Sequence, residues 1–154
     1  MSREIKFRAW DFALDEMLDW SYILNNLVGN YEDVFNDKRF IMMQYTGLKD
    51  KNGVKIYERD IIQFDFGKDS KEGVVNSLVA FSQGMYCYRA SQSKQVIRGN
   101  KWKQPHDYVR SNWWGWEDYP LHEGFYGEGT IEETDYTKSN ITVIGNIYQN
   151  KNLL

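Results

Sequence analysis

Residues 45–63 read YTGLKDKNGVKIYERDIIQ, and the fold turns on whether this glycine- and lysine-rich stretch cradles a phosphate or reverses the chain. It lies between two apolar runs, Phe40–Met43 and Ile61–Ile62. A phosphate loop of the G-x-x-x-x-G-K-[ST] kind needs lysine directly after its second glycine, at the mouth of a helix. Here Gly47 and Gly53 are one residue too far apart, Val54 stands where lysine should be, and a strand-like segment follows. The turn reading fits every one of these residues. Asn52-Gly53 supplies the positive φ angles of a tight hairpin, and Asp50 can accept hydrogen bonds from the backbone ahead of it. Lys49, Lys51 and Lys55 then face water.

Strand signals surround the hairpin. EIKFRAW (Glu4–Trp10) alternates with period two, Ile5, Phe7 and Ala9 on one face and Lys6 and Arg8 on the other. Asp11 to Asp15 reads as a turn, EMLDW (Glu16–Trp20) as a returning strand, and RFIMMQY (Arg39–Tyr45) as the strand that enters the hairpin. SYILNNLVGN (Ser21–Asn30) has helical spacing at Ile23, Leu24, Leu27 and Val28 and a glycine stop at Gly29. Further strands are expected at Lys55–Tyr57 and Ile61–Phe66, and GVVNSLVAF (Gly73–Phe81) pairs with MYCYRA (Met85–Ala90) across Ser82-Gln83-Gly84. ITVIGNI (Ile141–Ile147) is a last β-branched run. The expected architecture is mainly β: a small barrel or sandwich core with one short helix, in a single domain whose residues 91–138 form a long inserted arm. Alternation assigns Ile5, Phe7, Ile56, Ile62, Val75, Val79, Phe81, Val143 and Ile147 to the inside.

Composition agrees with that reading and narrows the function. In 154 residues, 42 % are apolar and 27 % charged, an ordinary globular balance, while 16 % are aromatic, which favours strands. A net charge of −3 excludes a generally basic nucleic-acid binder but leaves room for a local patch. The one cysteine, Cys87, cannot form an internal disulfide. The start MSREIKFRAW has no apolar core for a signal peptide, and no run reaches the ~20 apolar residues of a membrane helix, so a cytoplasmic protein is expected.

Three stretches carry a family resemblance: REIKFRAWD (Arg3–Asp11), MQYTGLKDKNGVKIYERDI (Met43–Ile61) and VIGNIYQN (Val143–Asn150). In order and in spacing to the termini they resemble the signature blocks of the YopX-like family of phage and prophage proteins. The resemblance implies a phage-encoded, mainly β accessory protein at work in an infected bacterial cell, and it supplies no catalytic residues to carry over. Two positions depart from the family pattern. Arg59 stands where the family usually has glycine, and Lys151 where it usually has proline. The first matters if position 59 has positive φ, a conformation costly for arginine.

Chemistry-bearing motifs are sparse. Cys87, His106 and His122 lack metal-ligand spacing, and no cofactor is implied. A cysteine nucleophile would need an orienting third group that the sequence does not supply. Adjacent acids such as Glu132-Glu133 read as solvated surface, so the chain is expected not to be an enzyme. The segment from Arg89 to Trp116 is richer. Arg89, Lys94, Arg98, Lys101, Lys103 and Arg110 face one acid, Asp107, with Trp102, Tyr108, Trp113, Trp114 and Trp116 interleaved. Cations that follow phosphates and rings that stack on bases are the parts of a single-strand nucleic-acid groove, with Arg89, Lys94, Arg98, Lys101, Trp102, Lys103 and Arg110 as its contacts. The competing reading is favoured, because residues 117–135 carry seven acids and no lysine or arginine. Basic and acidic arms would then fold together, leaving Trp113, Trp114, Trp116, Tyr119, Phe125 and Tyr126 as a protein interface. The expected partner is a second copy of the chain, with a host or phage protein as a further candidate and no membrane.

Overall fold

The computed structural model describes residues 4–27, 35–65, 74–82, 84–96, 118–120 and 141–154. Among them are nine strands in two antiparallel sheets. The first sheet holds β1 (Phe7–Asp11), β2 (Glu16–Leu18), β3 (Phe40–Lys49) and β4 (Lys55–Tyr57) in the order β2-β1-β3-β4. The second holds β5 (Asp60–Asp65), β6 (Val74–Ser82), β7 (Met85–Val96), β8 (Asp118–Pro120) and β9 (Ile141–Asn146) in the order β8-β7-β6-β5-β9. The protein is mainly β, and its antiparallel sheet curls into a half-barrel.

The β3–β4 hairpin forms as its turn residues dictate. Asp50, fully buried, accepts at Oδ1 from the N–H groups of Asn52 (2.8 Å) and Val54 (2.9 Å), and Gly53 takes φ +80°. The same carboxylate reaches further than the turn. Its Oδ2 accepts from the Val143 N–H at 3.0 Å, and the Lys51 N–H donates to the Ile141 carbonyl at 3.1 Å. The hairpin tip thus satisfies backbone groups on β9, a strand that would otherwise end its sheet with an open edge.

A helix, α1 (Trp20–Asn26), begins one residue before the sequence places it, because Asp19 caps it by accepting from the Tyr22 N–H at 2.7 Å. The glycine stop at Gly29 lies outside the described residues. Ile23 on α1 packs with Ala9 and Leu18 into one apolar cluster, flanked by Trp20, Leu27, Phe40 and Met42. The larger cluster, Ile56, Ile62, Phe64, Val79 and Ile141, lies on the second sheet and the β4 side of the first.

Of the residues assigned inward, Ile56, Ile62 and Val79 are fully buried and Phe7, Val75, Val143 and Ile147 are half-buried. Two are exposed: Ile5 at 62 % and Phe81 at 52 %. Alternation gives each the correct face, but Ile5 precedes the first paired residue of β1 and Phe81 sits beside the β6–β7 turn, past the neighbours that would cover it. The boundary expected at residue 91 falls inside β7, which continues to Val96 paired with β6 beyond a register shift between Asn76 and Leu78, and Asp118–Pro120 returns to the sheet as β8.

Candidate functional site

The three signature stretches meet where the chain passes from one sheet to the other. Residues 57–60, YERD, make that corner between β4 and β5. The Glu58 N–H donates to the Gln44 carbonyl and the Glu58 Oε2 accepts from the Gln44 N–H at 2.8 Å, which ties the corner to β3. One residue on, the Arg59 N–H donates to the Val79 carbonyl at 2.8 Å and the Arg59 carbonyl accepts from Ile147, which ties it to β6 and the segment after β9. Bonding to both sides within two residues forces a sharp reversal. Arg59 therefore takes φ +63°, the left-handed conformation that glycine adopts without strain.

Beside this corner sits a buried ion pair. Arg8 on β1 donates from Nη2 to Asp60 Oδ1 at 2.5 Å and lies 4.7 Å above the Tyr57 ring. Asp60 Oδ2 accepts from the Tyr57 N–H at 2.8 Å. The carboxylate side chain is 1 % exposed and that of Arg8 15 %. Burial pushes the Asp60 carboxyl up to about 6, with Arg8 and the Tyr57 N–H opposing it without cancelling it. The pair links residues 52 positions apart and belongs to both sheets.

The third stretch closes the arrangement. Asn146 Oδ1 accepts from the N–H groups of Tyr148 and Gln149, both at 3.0 Å, and its Nδ2 donates to Gln149 Oε1. Asn150 Oδ1 accepts from the Asn146 N–H at 3.2 Å, so its side chain lies across Gly145. A Cβ at Gly145 would stand 2.2 Å from that oxygen, which explains the glycine. Tyr148 is thereby placed parallel to Trp10 of β1, with ring centroids 5.4 Å apart.

A second carboxylate shapes the β1–β2 turn. Asp11, 1 % exposed, takes two hydrogen bonds from Arg39, at Oδ1 from Nε (2.8 Å) and at Oδ2 from Nη2 (2.7 Å), and its Oδ1 also accepts from the Ala13 and Leu14 N–H groups. The Arg39 hydrogen bonds hold its carboxyl below the ordinary value, and the two backbone donors add to that. This turn displays Phe12 and Leu14, each 53 % exposed.

Trp113, Trp114, Trp116, Phe125, Tyr126, Arg98, Lys101, Trp102, Lys103 and Arg110, with His106 and His122, fall outside the described residues. Tyr119 is placed in β8 opposite Tyr88, Arg89 in β7 opposite both Leu78 and Asp118, and Lys94 in β7 opposite Asn76. Cys87 is buried and its thiol donates to the Ala80 carbonyl, as a small core residue would. No group of three or more His, Cys, Asp or Glu that could hold a metal occurs among the described residues. Arg8, Asp60, Asn146 and Asn150 were not singled out from the sequence. The signal that could have found them is their place in the three signature stretches, since charged and amide residues in strands that otherwise alternate are costly unless paired.

Residues 6–114 match the family model described as YopX protein. Among solved structures, the crystal structure of protein EF1440 from Enterococcus faecalis is similar at TM-score 0.52 and 24 % identity, with 99 % of each chain covered. That of protein yopX from Bacillus subtilis is similar at TM-score 0.45 and 20 % identity, with 97 % of each chain covered. The first likeness supports the fold. No curated protein matches.

Proposed function

The chain belongs to the YopX protein family, and from that premise we propose that it is a phage-encoded accessory protein that acts through protein contacts rather than by catalysis, as a homo-oligomer in the host cytoplasm. The observation that carries this reading is a register. Strand β8 sets Asp118 directly opposite Arg89 of β7, so the acidic segment returns to the start of the basic one. An acidic segment whose backbone returns beside a basic one brings opposite charge to it, and this supports the protein-contact reading over an open nucleic-acid groove. The aromatics between these segments, Trp113, Trp114 and Trp116, are then the surface for a second copy. No helix among the described residues is long and apolar enough to cross a membrane.

Two measurements test the proposal. Sedimentation at micromolar concentration is expected to give a species heavier than the 18.3 kDa chain, and replacing Trp113, Trp114 and Trp116 by serine to return it to that mass. Fluorescence anisotropy with a labelled single-stranded oligonucleotide is expected to show no binding at low salt, where counterion release favours it most. Tight, steeply salt-dependent binding there would replace this reading with the nucleic-acid one.

A further inference from the structure

On the first sheet two lysines share one acid. Lys6 precedes β1 and Lys55 opens β4, 49 residues apart in sequence, and strand pairing brings them together: the Lys6 carbonyl accepts from the Tyr45 N–H at 2.8 Å, and Tyr45 pairs with Tyr57. Glu4 Oε1 takes Lys6 Nζ, and Glu4 Oε2 lies 3.6 Å from Lys55 Nζ. The lysine side chains are 31 % and 32 % exposed, so water reaches them while their stems are covered. Lys55 Nζ also sits 5.4 Å from the centre of the Tyr45 ring, and the rings of Tyr45 and Tyr57 are 5.5 Å apart. Tyr57 is half-buried, with the Arg8 guanidinium 4.7 Å over its ring.

The charge count is uneven. Two ammonium groups converge on one carboxylate, and that carboxylate is held differently from them. Lys6 and Lys55 are anchored by the sheet, whereas Glu4 lies before the first strand and its side chain is 51 % exposed. The two lysines move in opposite directions: the Glu4 hydrogen bond holds the Lys6 ammonium above the ordinary lysine value, whereas Lys6 and burial hold Lys55 below it. One acid does not neutralise the site.

We infer that Lys6 and Lys55 form a binding site for a phosphate-bearing ligand, and that Glu4 occupies it as a displaceable internal anion. A phosphate brings more negative charge than one carboxylate and more oxygens than two ammonium groups can saturate with a single acid. A ligand phosphate would take both lysines and leave Glu4 to water, where an exposed carboxylate gives up little. The proposed site uses none of residues 89–110 and does not depend on the oligomer proposed above.

Inorganic phosphate titrated into the full-length protein, with sodium chloride at matched ionic strength as control, tests this by the backbone amide shifts of Lys6, Lys55 and Tyr57. Native protein is expected to bind weakly and saturably, and Glu4→Gln roughly fivefold more tightly, the scale of one exposed charge contact removed from competition. In the Glu4→Gln background, Lys6→Gln or Lys55→Gln is expected to lose that gain. All these side chains are part-exposed, and thermal melts check that each variant folds. Glu4→Gln binding no more tightly than native protein, or phosphate binding indifferent to either lysine, overturns the inference. A second arm separates sources of the phosphate. A nucleoside monophosphate that binds more tightly than inorganic phosphate assigns the ligand a nucleoside beside the phosphate, and equal affinities assign the site to the phosphate group alone.

Discussion

Asp11 and Asp60 are each 1 % exposed and each paired with an arginine, yet their carboxyls move in opposite directions. Asp11 is held below the ordinary range and Asp60 is pushed up to about 6. The donors differ. Asp11 receives two hydrogen bonds from Arg39 and two from backbone N–H groups, whereas Asp60 receives one from Arg8 and one from Tyr57. The depth differs too. Arg39 is 44 % exposed, so solvent lies close behind the Asp11 pair, while Arg8 is 15 % exposed and the Asp60 pair is enclosed by two sheets. Low exposure of the acid alone therefore predicts nothing. What counts is how many donors replace the lost water and how near the remaining water stands.

The largest effect follows from removing the enclosed acid outright. Asp60→Ala takes the carboxylate from the Arg8 guanidinium, whose Nη2 keeps only the Glu58 carbonyl at 3.4 Å, and leaves the Tyr57 N–H without its acceptor. A loss of about 3–5 kcal/mol in urea unfolding is expected, the scale of breaking one side of a buried pair. The double variant Arg8→Met/Asp60→Leu is expected to regain most of it, because the buried cation is then gone. If the single variant costs no more than an ordinary surface change, Asp60 is not enclosed and the contrast with Asp11 fails.

The next effect is in pH, and the two acids carry opposite signs. Asp60 has its folded value raised, so its contribution is fully present below about 3.8 and is lost as pH rises through about 6, a change of up to about 3 kcal/mol. Asp11 has its folded value lowered, so its contribution is present above the ordinary carboxylate range and is lost as pH falls through the folded value. Urea midpoints measured from pH 7 to pH 3 for native protein and for Asp60→Asn separate them. The difference between the two proteins should change mainly between pH 6 and pH 4, with native protein gaining on the variant as the solution is acidified. A flat difference across that interval would show that Arg8 offsets the whole cost of burying Asp60.

Neither partner could have been read from the sequence, and the reason is distance along the chain. Alternation at Glu4–Trp10, the Asn52-Gly53 turn and the β-branched run at Ile141 are local patterns, and each became the expected element in the mainly β fold. Asp50 was legible as a turn residue for the same cause, but its second oxygen serves Val143, 93 residues away. Arg8–Asp60 and Arg39–Asp11 span 52 and 28 residues, so only strand order brings them together. Phe81 and Ile5 fail in another way: parity names the face of a strand and says nothing of where its neighbours end. The proposed interface aromatics are concentrated between Trp113 and Tyr126, a span without period two or 3.6, where local pattern has nothing to work on.

A smaller change isolates charge from shape at the two acids. Asp11→Asn keeps the side-chain outline but removes the anion that Arg39 and two N–H groups favour. It is expected to cost about 1–2 kcal/mol at pH 7, reduced from the fully buried figure because Arg39 is part-exposed. Asp60→Asn is expected to cost less than that at the same pH, since its enclosed site already favours the neutral form. Unfolding midpoints of the two variants at pH 7 make the comparison, and a larger loss at position 60 would reverse its order.

The smallest expected effect sits one residue from Asp60 and runs in the stabilising direction. Each carboxylate has a left-handed residue near it: Asp15 at φ +56° closes the turn that Asp11 holds, and Arg59 at φ +63° turns the corner beside Asp60. Aspartate visits this conformation at modest cost, whereas arginine has no local hydrogen bond to offset the crowding of its Cβ. Replacing Arg59 by glycine relieves that crowding but gives the unfolded chain more freedom, and the two terms oppose each other. The net gain expected from Arg59→Gly is about 0.5–1 kcal/mol, and from Asp15→Gly about zero. Arg59 also acts electrostatically on the Tyr148 phenol, whose proton loss burial disfavours and the Arg59 cation favours. Arg59→Gln removes that charge but keeps a long side chain whose Cβ is crowded at positive φ, so it separates the two contributions. Equal gains from glutamine and glycine would place the cost in the arginine side chain's surroundings. A gain from glycine alone places it in the backbone, at the point where the chain bonds to both sheets within two residues.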